Sequence, residues 1–325
     1  MSVALLLLLI FVDFANCEYD TRVITTLKYS KSYVHPTVIN GIPAQTGQVP
    51  FLVSLKEILV KVSDLKYIWT NICGGSIISN TKVLTAAHCF EGKSFLYYHH
   101  PEYLRVVAGN FTTELIHTGN TDTTRRAQWR KIKKVVLHRK FFFPENDLAL
   151  VFVNEPFEYN INVGHVVIAK RRADYPNQCI SAGFGSMNHS EDRITPILLV
   201  ANMFLLSRRN CSKMWEMNMD KFICTYSFMS DMGRGDSGGP LACKGTVDPA
   251  EKKGLPLLVG VVSGKNFDKT TLFTRVSAYK TWIANAKSAA CAIGDYVSYC
   301  DIKYLVFVVI LYSFSCDLHT DVCAW

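Results

Sequence analysis

The chain is broken into short apolar runs, and no other feature limits its fold as tightly. Residues 51–55, 75–78, 83–86, 135–137, 148–153, 166–169 and 257–262 form such runs, separated by Gly, Asn, Asp and Pro. Runs of this length bounded by turn formers suit strands of barrels or sandwiches. A long amphipathic helix would need its apolar positions sustained at a period of about 3.6 residues. The reading is an all-β chain. With 325 residues there is room for two ordinary domains, and a hydrophobic content of 49% is ample for sizeable cores.

Three short segments carry chemistry. In Gly233-Arg234-Gly235-Asp236-Ser237-Gly238-Gly239-Pro240 a serine stands between glycines and follows an Asp. Small neighbours let a substrate backbone approach Ser237 and leave the Gly235 and Ser237 amides free to face a developing oxyanion. The second segment is Leu84-Thr85-Ala86-Ala87-His88-Cys89, and the third is Asn146-Asp147-Leu148-Ala149-Leu150, an acidic residue opening an apolar run. A serine hydroxyl is a poor nucleophile until a base takes its proton. His88 titrates near neutrality and can be that base, and a buried Asp147 can hold its tautomer and stabilise the imidazolium. Singly, each segment also reads as something plainer: a glycine-rich loop, a structural His beside a cysteine, an N-capping Asp.

Together, the order His88, Asp147, Ser237 and the flanking residues resemble the chymotrypsin/trypsin family of serine endopeptidases. The resemblance runs from Val38 to about Lys287. Val38-Ile39-Asn40-Gly41 is similar to the family's mature N-terminus, Cys73-Gly74-Gly75-Ser76 to the strand before the catalytic histidine, and residues 179–185 to the strand opening the second barrel. Thr274-Arg275-Val276-Ser277 and residues 279–286 resemble the closing strand and C-terminal helix. The resemblance implies two antiparallel β-barrels packed face to face, meeting near residue 165, with a C-terminal α-helix. It implies peptide-bond hydrolysis through an acyl-enzyme, with His88 as base and then acid, Asp147 orienting it, Ser237 as nucleophile, and Gly235 and Ser237 as the oxyanion hole. It pairs Cys73 with Cys89, Cys179 with Cys243 and Cys211 with Cys224, each bridge stabilising by about 2–4 kcal/mol.

Residues 1–17 read as a signal peptide: an apolar stretch, 3–12, precedes Ala15-Asn16-Cys17, although the basic n-region is missing. A secreted, extracellular chain beginning at Glu18 keeps all but Cys17 of the eleven cysteines. That points to disulfides rather than metal ligands, since no CxxC or HxxxH spacing occurs. Asn110, Asn188 and Asn210 open glycosylation sequons, the third on a bridged cysteine. Residues 18–37 are then a pro-segment. By resemblance, cleavage before Val38 frees an ammonium that pairs with Asp236 and orders the oxyanion hole and specificity pocket. Thr37 stands where relatives place Arg or Lys, so an activating protease other than a trypsin-like one is expected, or inefficient activation.

Specificity signals conflict. Asp231, six residues before Ser237, corresponds to a carboxylate at the floor of the primary pocket that would pair with a substrate Arg or Lys. Gly233, however, replaces the usual half-cystine, Ser263-Gly264-Lys265 replaces Ser-Trp-Gly, and Thr271 falls where a glycine normally keeps the pocket open. Lys265 could neutralise Asp231 and Thr271 could narrow the pocket. Cleavage after Arg or Lys and a restricted preference for small or apolar residues both stay open.

The net charge of +8 concentrates in Arg125, Arg126, Arg130, Lys131, Lys133, Lys134, Arg139 and Lys140. These residues read either as a solvated strand edge and loop or as a face attracting acidic glycans. His99-His100 reads as loop rather than metal site. Residues 288–325 hold Cys291, Cys300, Cys316 and Cys323 and an apolar run, 304–314, too short for a bilayer that needs about twenty residues. Membrane attachment, nucleic acid, metals and cofactors are not expected. The expected partners are protein or peptide substrates, an activating protease and serpin-type or Kunitz-type inhibitors. The competing function is a non-catalytic or zymogen-locked homologue acting as a binding protein.

Overall fold

The computed structural model describes residues 41–63, 66–112, 115–118, 127–175, 179–188, 191–226, 232–233, 235–265 and 270–286. The signal peptide, pro-segment, Val38, Asp231 and the cysteine-bearing tail lie outside these residues. So do Arg125 and Arg126.

Six strands build the first barrel: β1 (Leu52–Ser63), β2 (Lys66–Ser79), β3 (Lys82–Thr85), β4 (Leu104–Ala108), β5 (Gln128–Leu137) and β6 (Ala149–Val153). Their order is β1-β4-β5-β6-β3-β2, and β2 pairs back on β1 to close the ring. Six more strands build the second: β7 (Cys179–Gly183), β8 (Leu199–Met203), β9 (Phe222–Cys224), β10 (Pro240–Cys243), β11 (Leu257–Lys265) and β12 (Thr271–Arg275). There the order is β8-β7-β10-β11-β12-β9. A Leu205–Thr225 bridge just past the ends of β8 and β9 completes the circuit. Renumbered from its own first strand, the second barrel repeats the order of the first, so one topology is used twice. All pairings within each ring are antiparallel. Closure removes the exposed edges that an open sheet of such strands would present.

The barrels explain the two kinds of apolar pattern. β6 and β12 are buried at all five positions, because one face fills a barrel and the other is covered from outside. In β5 the pattern alternates: Ile132, Val135 and Leu137 are buried while Lys131 and Lys133 are exposed. The basic stretch therefore includes a strand whose residues 128–131 pair with β4 and whose residues 132–137 pair with β6. Arg130 is drawn into the structure, its guanidinium donating to the carbonyls of Pro156 and Trp129.

Helices are few. α1 (Gly92–His99) places His99 at a helix end rather than in a loop, and His100 bonds Glu102 through Nδ1 at 3.1 Å. α2 (Arg208–Trp215) starts where Ser207 accepts the Asn210 amide and stops at Glu216, in the left-handed conformation. The C-terminal helix α3 (Lys280–Asn285) follows β12 after a short 3-10 turn. Two compact units are distinguished, Met1–Lys280 and Thr281–Trp325; only residues 281–286 of the second are described. Disulfides join Cys73 to Cys89, Cys179 to Cys243 and Cys211 to Cys224. Among the described residues no helix is long and apolar enough to cross a membrane, and no cluster of three His, Cys, Asp or Glu could hold a metal.

Candidate active site

The three candidate catalytic residues come from two barrels. β3 ends at Thr85, and the chain turns directly into a 3-10 turn that starts at His88; the Cys73–Cys89 bridge fastens that turn to β2. Asp147 closes the β5–β6 connection, two residues before β6 begins. Ser237 lies three residues before β10, in the second barrel.

Asp147 is fully buried and makes three short contacts. Its Oδ2 accepts from His88 Nδ1 at 2.7 Å and from the Ser263 hydroxyl at 2.5 Å, and its Oδ1 accepts the His88 backbone amide at 2.9 Å. The carboxylate thus fixes the imidazole ring and the backbone that carries it. With Nδ1 engaged as donor, Nε2 is left as the basic nitrogen, and about a fifth of the His88 side chain is exposed. Burial works against the imidazolium, but the Asp147 charge, its hydrogen bond and the Glu91 carboxylate outweigh it and hold His88 above its ordinary pKa. Glu91 is itself pushed up, first by burial and opposed by His88.

The serine loop is shaped around a second buried carboxylate. Asp236 is fully buried; Oδ1 accepts the Gly185 amide at 2.7 Å and Oδ2 the Gly233 amide at 2.8 Å. A Cβ at Gly183 or Gly185 would overlap this carboxylate, so the Gly-Phe-Gly sequence at 183–185 is a requirement of space. Gly238 adopts φ +77°, where L side chains are strained, and a Cβ there would run into Thr85 and the Gly74 carbonyl. The loop is sewn to the first barrel by the Gly74 amide, which donates to the Ser237 carbonyl at 2.7 Å. Among the described residues the Gly235 and Ser237 amides donate to no other group, and no hydrogen bond links Ser237 Oγ to His88.

The pocket residues separate. Ser263, grouped on sequence grounds with the substrate-binding residues, is buried with its hydroxyl committed to Asp147. Thr271 is buried on β12, where its Oγ1 accepts the Met232 amide at 3.4 Å, so it lies against the segment preceding the serine loop. The Lys265 backbone pairs with Thr271, and Asp231 is outside the described residues.

Sequence reasoning missed a buried polar relay. Ser54 Oγ donates to Asn71 Oδ1 at 2.5 Å, and Asn71 Nδ2 donates to the Gly235 carbonyl at 2.9 Å. The available signal was a polar residue set inside each of two apolar strands, β1 and β2. Nothing local says what those residues bond, since Asn71 and Gly235 are 164 positions apart.

Residues 38–283 match the family model described as Trypsin. Over 264 residues the chain is 26% identical to a protein of Rattus norvegicus described as Transmembrane protease serine 9. That alignment covers 78% of this chain and 22% of the relative's length, so the chain spans only about a fifth of the curated protein it matches.

Proposed function

The chain belongs to the trypsin family of serine proteases, and on that premise we propose that it is a secreted serine endopeptidase activated by cleavage before Val38. The observation that carries the proposal is the Ser263–Asp147–His88 array, in which Asp147 engages His88 Nδ1 and leaves Nε2 as the basic nitrogen. In the proposed reaction His88 Nε2 takes the Ser237 proton as Oγ attacks the substrate carbonyl. The Gly235 and Ser237 amides stabilise the resulting oxyanion, and His88 returns the proton to the leaving amine. Water, activated by the same imidazole, then hydrolyses the acyl-enzyme.

Activation would bring the Val38 ammonium to Asp236, whose carboxylate already collects two loop amides. Cleavage after Arg or Lys rests on Asp231 alone. Three disulfides fit an extracellular protein. Serpin-type or Kunitz-type inhibitors are partners of the kind such a cleft would accept.

One observation favours the second reading, a zymogen-locked or non-catalytic homologue: Ser237 Oγ makes no hydrogen bond to His88 among the described residues. Catalytic contacts of this kind are often long before substrate is bound. Labelling by a fluorophosphonate decides between the readings. Labelling that appears after cleavage before Val38 and vanishes in Ser237→Ala supports the endopeptidase; no labelling of the cleaved chain supports the binding protein. Ser237→Ala and His88→Ala should each lower turnover by several powers of ten. A peptide library then reads the primary specificity, and Asp231→Ser should abolish any preference for basic residues.

A further inference from the structure

Ser263 holds the carboxylate of Asp147, and the second barrel holds its backbone as well. Thr274, buried on β12, donates its hydroxyl to the Asp147 carbonyl at 3.2 Å. One residue earlier, Asn146 is buried with φ +56°. That is the left-handed region, costly for a side chain and visited by Asn more readily than by most residues. The Asn146 carbonyl accepts the Leu148 amide at 2.8 Å, so the chain turns tightly at Asp147. A strained backbone of this kind persists only where its surroundings fix it.

The surroundings grip the Asn146 side chain. Nδ2 donates to the Lys140 carbonyl at 2.6 Å, which closes the β5–β6 connection on itself. Oδ1 accepts from the Tyr279 hydroxyl at 3.2 Å and from Lys221 Nζ at 3.3 Å, both in the second barrel. Lys221 is exposed and shared with Glu145, a surface contact worth little. Tyr279 is different. It ends the 3-10 turn after β12, is buried, and stands edge-on to His138 with ring centroids 5.3 Å apart and planes at 83°. That packing aims the hydroxyl. Burial, aided by the Glu145 carboxylate, pushes the phenol up, so it stays a donor wherever His88 titrates.

Ser263 on β11, Thr274 on β12 and Tyr279 in the turn that follows thus reach the carboxylate of Asp147, its carbonyl and the residue before it in succession. Three neighbouring elements of one barrel fix an acidic residue carried by the other.

We propose that Tyr279 is a positioning residue: through Asn146 it holds the left-handed turn that presents the Asp147 carboxylate to His88. The inference rests on the endopeptidase reading.

The test uses full-length chain cleaved before Val38. Tyr279→Phe deletes one hydroxyl and keeps the ring against His138. It should lower kcat by about three- to tenfold with KM within about twofold. The acidic limb of the kcat/KM profile should also move to lower pH, because a loosened Asp147 raises His88 less. A purely structural tyrosine would not move that limb. Ser207→Ala, which removes the cap of α2, serves as the control: it should lower the melting temperature and leave the limb in place. Asn146→Gly relieves the backbone strain and removes the clasp. It should lose at least as much kcat as Tyr279→Phe, and adding Tyr279→Phe to it should cost nothing further. In a chain that a fluorophosphonate labels, a limb that Tyr279→Phe leaves in place overturns this inference alone. So does an Asn146→Gly chain as active as wild type, or full additivity of the two substitutions. A wild-type chain that is never labelled overturns the endopeptidase reading and the positioning role with it.

Discussion

The Asn71 side-chain amide donates to the Gly235 carbonyl at 2.9 Å, so a strand of the first barrel sets the conformation of a loop belonging to the second. Both partners are buried, and Ser54 fixes the amide orientation by donating to Asn71 Oδ1. The Gly235 residue held this way also supplies one of the two amides proposed to receive the oxyanion.

Removing that bond should therefore damage turnover more than binding. Asn71→Leu leaves the buried Gly235 carbonyl without its partner, which costs about 1–3 kcal/mol of stability. We expect kcat to fall by at least about tenfold, because oxyanion donors lose effect when misaligned, while KM changes little. Urea unfolding and steady-state kinetics measure the two effects separately. A normal kcat in Asn71→Leu would remove the positioning role.

The raised pKa of His88 fixes the sign of the pH dependence. As a base it must be neutral, so kcat/KM should rise with pH on a limb displaced above the ordinary value of about 6.5. Stability runs the other way. A folded pKa above the unfolded one means the charged form is favoured in the native state, a contribution complete below about pH 6.5 and lost as pH rises through the folded value. Asp147→Asn removes the Asp147 charge and its carboxylate hydrogen bond and leaves only Glu91 to raise His88, so the limb should move down in pH while kcat falls by about 10⁴-fold. A pH–rate profile of each variant checks this.

Asp236 provides a test of activation. Gly185→Ala would drive a methyl group into the carboxylate that gathers the Gly185 and Gly233 amides. We expect a folded chain, with unchanged near-UV circular dichroism, whose activity stays low after cleavage before Val38. Asp236→Asn should behave the same way. N-terminal sequencing of active protein should read Val38-Ile39-Asn40-Gly41, and full activity from a chain starting at Glu18 would refute the mechanism.

Lys56 is fully buried on β1, its Nζ 5.5 Å from the centroid of the Phe184 ring. Burial pushes it down to about 7, against about 10.4 in an unfolded chain. The unfolded state therefore binds the extra proton between those values, and stability should rise with pH from about 7 to about 10. Lys56→Met should abolish that slope and be most stabilising at or below pH 7. Denaturant unfolding at pH 6 and pH 10 gives the comparison; an unchanged slope would show that Lys56 is not its source.

Much of this protein was legible before any coordinates. Short apolar runs set the strands because local spacing and turn residues decide strand formation, and the segments around His88, Asp147 and Ser237 carry the motifs of the proposed chemistry within a few residues each. Glycines at 183 and 185 were visible as a motif, though not as the clearance around Asp236. Tertiary structure decided what depends on distant residues meeting. It put the Ser263 hydroxyl on Asp147 across 116 positions, tied Asn71 to Gly235, and brought the Tyr279 hydroxyl to Asn146. It also put residues 128–137 of the basic stretch on one strand that pairs first with β4 and then with β6. Local sequence specifies which conformations a segment favours; which buried donor finds which acceptor is settled only when two closed barrels bring their loops together, and there an unpaired polar group costs too much to leave unsatisfied.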